Sequence, residues 1–196
     1  MNKNRLEAFS DGVMAIIITI MVLELKVPHG TELKDIQPLV PTFFAYVLSF
    51  IYVGIYWNNH HHLFQSVSHV NGAILWANLF LLFCLSLLPF ATGWMGENHL
   101  DELPVFLYGL VLFMACIAWW ILVEIIIREK SNSKTAEKLK CDPKIRESAA
   151  IYLVATIVAL FFPIVSCVIY ALVALLWFIP DKRMEKAVKE VSGEEE

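Results

Sequence analysis

The sequence predicts an all-α, polytopic membrane protein with six transmembrane helices, and three observations carry that expectation. Hydrophobic residues make up 58% of the 196-residue chain and charged residues 17%, with a mean hydropathy of +0.63. One soluble core cannot bury such a surplus of apolar side chains, so lipid must take the rest. Five apolar tracts follow one another, and crossing a hydrocarbon layer about 30 Å thick takes roughly 17 to 25 mostly apolar helical residues. The lysines and arginines, finally, gather in alternate connections between those tracts.

Taken in order, the tract Gly12 to Leu25 belongs to a first helix at about 4–27. Leu39 to Trp57 makes a second at about 38–62, Gly72 to Trp94 a third at about 71–95, and Leu103 to Ile127 a fourth at about 103–129. The last tract, Ser148 to Ile179, is too long for one span: at 1.5 Å per residue it would stretch about 48 Å. Pro163 sits at its middle in "LFFPIVS". A proline lacks an amide donor and disfavours helical geometry just before it, so a break into helices at about 146–163 and 164–180 is the simplest solution. A single kinked helix is the alternative.

Charge decides between the two. With a cytoplasmic N-terminus, six crossings put every basic residue except Lys26 and Lys34 on the cytoplasmic side, as the positive-inside rule prefers. Five crossings would strand Lys182, Arg183, Lys186 and Lys189 outside. The expectation is therefore a multi-pass protein of the cell (inner) membrane with both termini in the cytoplasm. The chain reads as a single transmembrane domain over 1–196, its N-terminal helix retained rather than cleaved. The connection "REKSNSKTAEKLKCDPKIRE" reads as a partly helical solvated loop, and the tail over 181–196 as a helix fraying into an acidic end. Glu32, Asp35, Glu97, Asp101 and Glu102 mildly enrich cations at the outer surface.

Several classes of function find no support. A net charge of -4 and the lack of a basic patch interleaved with aromatics argue against nucleic acid. Cys84, Cys116, Cys141 and Cys167 are widely spaced, and the three in apolar tracts read as inert buried thiols. The histidines form one cluster, His60 to His62, with His29, His69 and His99 apart, whereas a membrane di-iron site needs several boxes; no metal or other cofactor is expected. No nucleophile motif or phosphate-cradling loop appears, so the chain does not read as an enzyme.

The first helix is the informative one. Stepping by three and four from Arg5 meets Phe9, Gly12, Ile16, Thr19 or Ile20, and Leu23 on one stripe. The exceptions to its apolar character are Ser10, Asp11, Thr19 and Glu24. Either Ser10 or Asp11 caps the helix, or the helix starts earlier and Arg5, Ser10 and Asp11 lie inside the bundle, where ionisable groups need partners. "YWNNHHHLF" at the end of the second helix and Asn78 in the third reach the same depth in an up-down bundle and offer such partners. Thr19 either returns its hydroxyl to a carbonyl one turn back or faces a pore.

Arg5, the Phe9-Ser10-Asp11-Gly12 run, the segment Ala15-Ile16 to Leu23-Glu24-Leu25, "YWNNHHHLF" and "NLFLLFCLSLLPF" together resemble the prokaryotic branch of the transmembrane protein 175 family of potassium channels. The hallmark of that family is an arginine followed by Phe-Ser-Asp in the first helix. The resemblance covers the first half of the chain; the second half matches only in helix count and charge pattern. It implies six-helix subunits assembled as homotetramers, four first helices surrounding a pore for potassium ions. The filter Thr-Val-Gly-Tyr-Gly of most potassium channels is absent, consistent with this family's different design. By motif register Ile16 would form the innermost ring, with Ile20 and Leu23 above it and Thr19 as a hydroxyl layer. Arg5, Phe9, Ser10 and Asp11, with His60, His61 and Asn78, would brace the pore helix. Because the Ile16-Ile17-Ile18 run is bulky throughout, a one-residue rotation exchanges Ile16 with Ile17, and the sequence leaves that choice open.

Four isoleucines around an axis make a narrow apolar collar that blocks ions when dry and strips part of their water when wider. Potassium holds its water less strongly than sodium, so weak to moderate potassium selectivity is expected. The alternatives are a secondary or proton-coupled transporter using Asp11 and the histidines as relays, and a non-conducting membrane scaffold. Single-channel steps separate a channel from a carrier, and absence of flux marks a scaffold.

Overall fold

In the computed structural model, which describes residues 3–67, 69–129 and 143–178, every regular element is helical. Helix α1 spans Lys3–Leu23. It stops short of the expected boundary because Glu24, Lys26 and Pro28 follow within one and a half turns. A single turn, α2 (Leu33–Ile36), and a 3-10 turn at Gln37–Leu39 lead into α3 (Val40–Gln65). Pro38 and Pro41 stand in the first turns of these elements, where the missing amide would have lacked a helical partner anyway.

The third expected span is not one helix but two set end to end, α4 (Gly72–Ser86) and α5 (Leu88–Glu97). Asn71 caps the start of α4, its Oδ1 accepting from the Ile74 amide at 2.8 Å. The break falls at Leu87, whose amide bonds the Cys84 carbonyl at 3.3 Å in a tightened turn. Pro89, near the start of α5, has no amide to carry the ladder onward. Past Glu97 the amides of His99 and Leu100 bond the carbonyls of Gly96 and Met95, closing α5 in a Schellman turn with φ of 52° and 63° at two non-glycine residues.

Helix α6 (Glu102–Glu129) is followed by α7 (Pro143–Val158) and α8 (Pro163–Phe178). The chain therefore breaks just before Pro163, and the amides of Phe161 and Phe162 both return to the Val158 carbonyl, at 3.0 and 2.8 Å. Helices α7 and α8 form an antiparallel hairpin. Ser166 Oγ donates to the Ala155 carbonyl at 2.7 Å near the turn, and Trp177 Nε1 donates to Ser148 Oγ at 2.9 Å at the open end. The expected loop helix, Cys141 and the C-terminal tail lie outside the described residues; Cys84 and Cys116 are buried free thiols and Cys167 a half-buried one.

Among the described residues four stretches are long and apolar enough to cross a membrane, Lys3–Leu23, Leu33–Gln65, Gly72–Glu97 and Glu102–Glu129, so the chain is a multi-pass membrane protein. Helix α6 buries one broad face, from Pro104 and Val105 through Leu112 and Trp119 to Val123 and Ile126, while Ile121 on its other face is exposed. It packs against α4 and α5 on one side and the α7–α8 hairpin on the other. Helix α1 lies on the opposite flank, against α3, α4 and α5.

Gly109 on α6 shows how tight the centre is. A Cβ there would lie 2.0 Å from Tyr170 Oη, 2.6 Å from Thr156 Oγ1 and 2.7 Å from Tyr170 Cζ. Alanine gains up to about 1 kcal/mol of helix propensity, but overpacking against a ring costs roughly 1–3 kcal/mol or more, so the clash wins. Gly109→Ala is expected to lower stability by about 2 kcal/mol, read as a drop in the unfolding temperature of the detergent-purified protein. Adding Tyr170→Phe, which removes the nearest atom, should recover part of it; no recovery would show that the hydroxyl is not the obstacle.

Candidate functional site

The first helix has two unlike faces. Leu6, Ser10, Met14, Ile17 and Met21 are buried against the neighbouring helices. Phe9, Gly12, Ile16, Ile20 and Leu23 form the uncovered face, with Ile16 58% exposed and Leu23 79%. Ile17, by contrast, is 3% exposed. A Cβ added at Gly12 would meet no atom within 4 Å. Thr19 is exposed and its hydroxyl donates to the Ile16 carbonyl at 2.9 Å, the local bond that a mid-helix threonine readily makes. The exposed stripe is thus aliphatic through its middle and charged at its head, where Arg5 and Asp11 are exposed. The aliphatic middle of such a face can meet lipid, a partner surface or a water-filled path, whereas its charged head calls for water or a partner.

Three helices meet behind Ser10. Its hydroxyl donates to the Leu6 carbonyl at 2.9 Å and accepts from Asn78 Nδ2 of α4 at 2.9 Å. Asn78 Oδ1 lies 2.8 Å from His60 Nε2 of α3. The amide nitrogen of Asn78 being spent on Ser10, its oxygen must accept, so His60 carries its proton on Nε2. Ser10 and Asn78 are 0% exposed and His60 1%. Buried polar groups are tolerable when each has a partner, and a satisfied chain of this kind fixes one relative rotation of the helices that hold it.

Asp11, one residue on and about 100° round the helix, makes a second contact with α3. Trp57 Nε1 donates to Asp11 Oδ1 at 3.0 Å. The His61 ring stacks on Trp57 with centroids 6.4 Å apart, and His61 Nε2 lies 3.0 Å from Gln65 Nε2. The expected bracing group is therefore divided: Ser10, Asn78 and His60 form a buried network, Asp11 and His61 join an exposed one through Trp57, and Arg5 and Phe9 belong to neither. Among the described residues Arg5 forms no ion pair. Of the three consecutive histidines, His60 is buried and stacks on Phe64 at 4.3 Å, while the rings of His61 and His62 meet edge to face outside it, 5.5 Å apart.

Two features went unforeseen. Trp57 sits beside residues singled out in the sequence, eight residues before the end of α3, and nothing in its spacing marks its bond to Asp11. The hydroxyls of Ser49, Thr92 and Tyr108 meet in the buried bundle, and nothing in their spacing marks them, because each stands alone in an apolar run. Farther along, Lys26 Nζ lies 2.5 Å from Glu97 Oε1, and the hydrogen bond to that carboxylate raises the lysine's pKa. Both side chains are exposed, so this pair contributes little to stability.

The family described as endosomal/lysosomal potassium channel TMEM175 matches residues 5–89. A potassium channel of Chryseobacterium sp. (strain P1-3) is 57% identical over 191 residues, covering 97% of this chain and 100% of that protein. A potassium channel of Streptomyces collinus is 36% identical over 133 residues, 61% of this chain and 65% of that one. The crystal structure of a lysosomal potassium-selective channel TMEM175 homolog from Chamaesiphon minutus superposes with a TM-score of 0.77 at 25% identity, covering 90% of this chain and 96% of that chain.

Proposed function

This chain belongs to the TMEM175 family, and on that premise we propose that it is a potassium channel whose conduction path runs along the exposed stripe of its first helix. Four copies surround the axis as a homotetramer, each contributing α1. Ile16 forms the narrowest ring, Ile20 and Leu23 the rings beyond it, and Thr19 a hydroxyl layer between them. The observation that carries this reading is the uncovered face of α1, aliphatic at Ile16, Ile20 and Leu23 and charged at Arg5 and Asp11. Ile17 favours the same assignment from the other side, since it is packed within the subunit.

A ring of isoleucines selects by cost. It offers an ion no oxygen ligands, so an ion enters only by carrying some water and shedding the rest. Sodium binds its shell more tightly than potassium and is held back more. Without a cage of carbonyls the preference stays weak to moderate. The Ser10–Asn78–His60 network and the Asp11–Trp57–His61 contact hold the rotation of α1, while Arg5 and Phe9 remain available to a neighbouring copy. Six crossings, with α7 and α8 as the fifth and sixth, put both termini and the basic connections on the cytoplasmic side of the cell membrane.

The test is the reversal potential of purified protein in planar bilayers, with potassium chloride on one side and sodium chloride on the other. A potassium-directed reversal with unitary steps is the expected result. Solute-coupled flux without steps would assign the chain to carriers, and no current would make it a scaffold.

A further inference from the structure

The first helix is supported at two depths, and only one support contains residues of the family motif. The second lies behind the C-terminal half of α1. Ser49 Oγ of α3 stands 2.7 Å from Thr92 Oγ1 of α5 and 3.0 Å from Tyr108 Oη of α6, and donates to the Ala45 carbonyl at 2.9 Å. Thr92 Oγ1 in turn lies 4.0 Å from Met21 Sδ of α1. All four side chains are buried: Ser49 and Tyr108 are 0% exposed, Thr92 and Met21 1%.

Counting protons shows how the cluster acts. Ser49 has one, spent on Ala45, so Thr92 and Tyr108 both donate to its oxygen. Thr92 therefore has no strong bond left for sulfur, a weak acceptor, and holds Met21 by contact. What the cluster fixes is the place of Thr92, and with it the surface on which Met21 rests. That surface needs fixing because α5 is a separate helix, cut from α4 at Leu87. The Lys26–Glu97 pair also ties α1's end to α5, but both side chains are exposed and water screens it.

We propose that the buried hydroxyl cluster of Ser49, Thr92 and Tyr108 positions the C-terminal half of the conduction stripe, setting the approach of Ile20 and Leu23 to the axis through Met21. This rests on the reading of α1 as the pore helix. Met21 adjoins Ile20 and lies two residues before Leu23, so any roll of α1 at Met21 carries both exposed side chains with it. Thr92 is a positioning residue: it touches no ion and acts through another side chain.

The experiment measures the potassium-to-sodium permeability ratio and unitary conductance for Thr92→Val, which keeps shape and removes the donor, and for Thr92→Ser, which keeps the donor. Tyr108→Phe serves as a second route to the same cluster should Thr92→Val fail to assemble. Thr92→Val is expected to change the ratio about two- to tenfold, Thr92→Ser to restore it, and the change to vanish in an Ile20→Ala, Leu23→Ala double background. An unchanged ratio in Thr92→Val and Tyr108→Phe, while Ile16→Asn alters it, would overturn the proposal and leave the pore intact. The same shift with and without the Ile20→Ala, Leu23→Ala pair would overturn it too, because the cluster would then act elsewhere. Should Ile16→Asn and Leu23→Ala both leave permeation untouched, the pore reading itself falls.

Discussion

Replacing Ile16 by asparagine is expected to bring the potassium-to-sodium permeability ratio to about one and to raise the unitary current. An amide at the collar hydrogen-bonds water, so the ring no longer dewets and a sodium ion need not shed its shell to enter. The substitution is a clean probe because Ile16 is 58% exposed within the subunit and supports little of its core. Ile17→Asn is the matched control. At 3% exposure it would bury an unpartnered amide at a cost of roughly 1–3 kcal/mol, so it should impair folding before it alters selectivity. Bi-ionic reversal potentials for the two variants and the parent decide the matter: an unchanged ratio in Ile16→Asn removes that residue from the narrowest ring.

Asn78→Ala should cost about 2–3 kcal/mol of stability, and selectivity along with it. The asparagine is the middle of a three-member chain, so its loss leaves His60 Nε2 without an acceptor, while Ser10 keeps its bond to the Leu6 carbonyl. An orphaned buried donor costs roughly 1–3 kcal/mol, and the emptied volume adds to that. Polar contacts between membrane helices average nearer 0.6 kcal/mol, so the larger figure holds only if His60 finds no water. Thermal unfolding in detergent gives the stability, and the reversal potential tells whether α1 has lost its rotation. Loss of stability with selectivity retained would show that the Trp57–Asp11 contact suffices to hold the pore helix.

Periodicity was enough to read much of this from the residues. The stripe from Phe9 through Gly12 and Ile16 to Leu23 is the uncovered face of α1, because three- and four-residue steps on a helix leave little freedom. Partners for Ser10 were legible from depth alone, since Asn78 and the histidines reach the same level when α3 and α4 run antiparallel. Which histidine serves was not, as His60 and His61 differ only by a 100° step whose origin tertiary packing sets. The same ambiguity put Asp11 with Ser10 when it faces the other way. The break at Leu87 escaped notice because Pro89 lies in an apolar run that reads equally well as a kinked helix. Ser49, Thr92 and Tyr108 converge from three helices, and single hydroxyls carry no periodic signal of convergence.

The α7–α8 hairpin has a consequence for how the chain is made. No charged residue lies between Glu147 and Phe178, and each of the two helices has 16 residues, about 24 Å against a hydrocarbon core of about 30 Å. Neither helix alone presents the inserting ribosome with a full-length span or a charged flank at the turn. Together they form a unit whose amides from Ala159 to Phe162 are already paired, and whose Ser166–Ala155 and Trp177–Ser148 bonds join one helix to the other. The two are therefore expected to insert as one piece, after the α6 on which they pack. A chain stopped at Phe162 would keep α7 against α6 but leave the buried Ser148 hydroxyl without the Trp177 indole that bonds it.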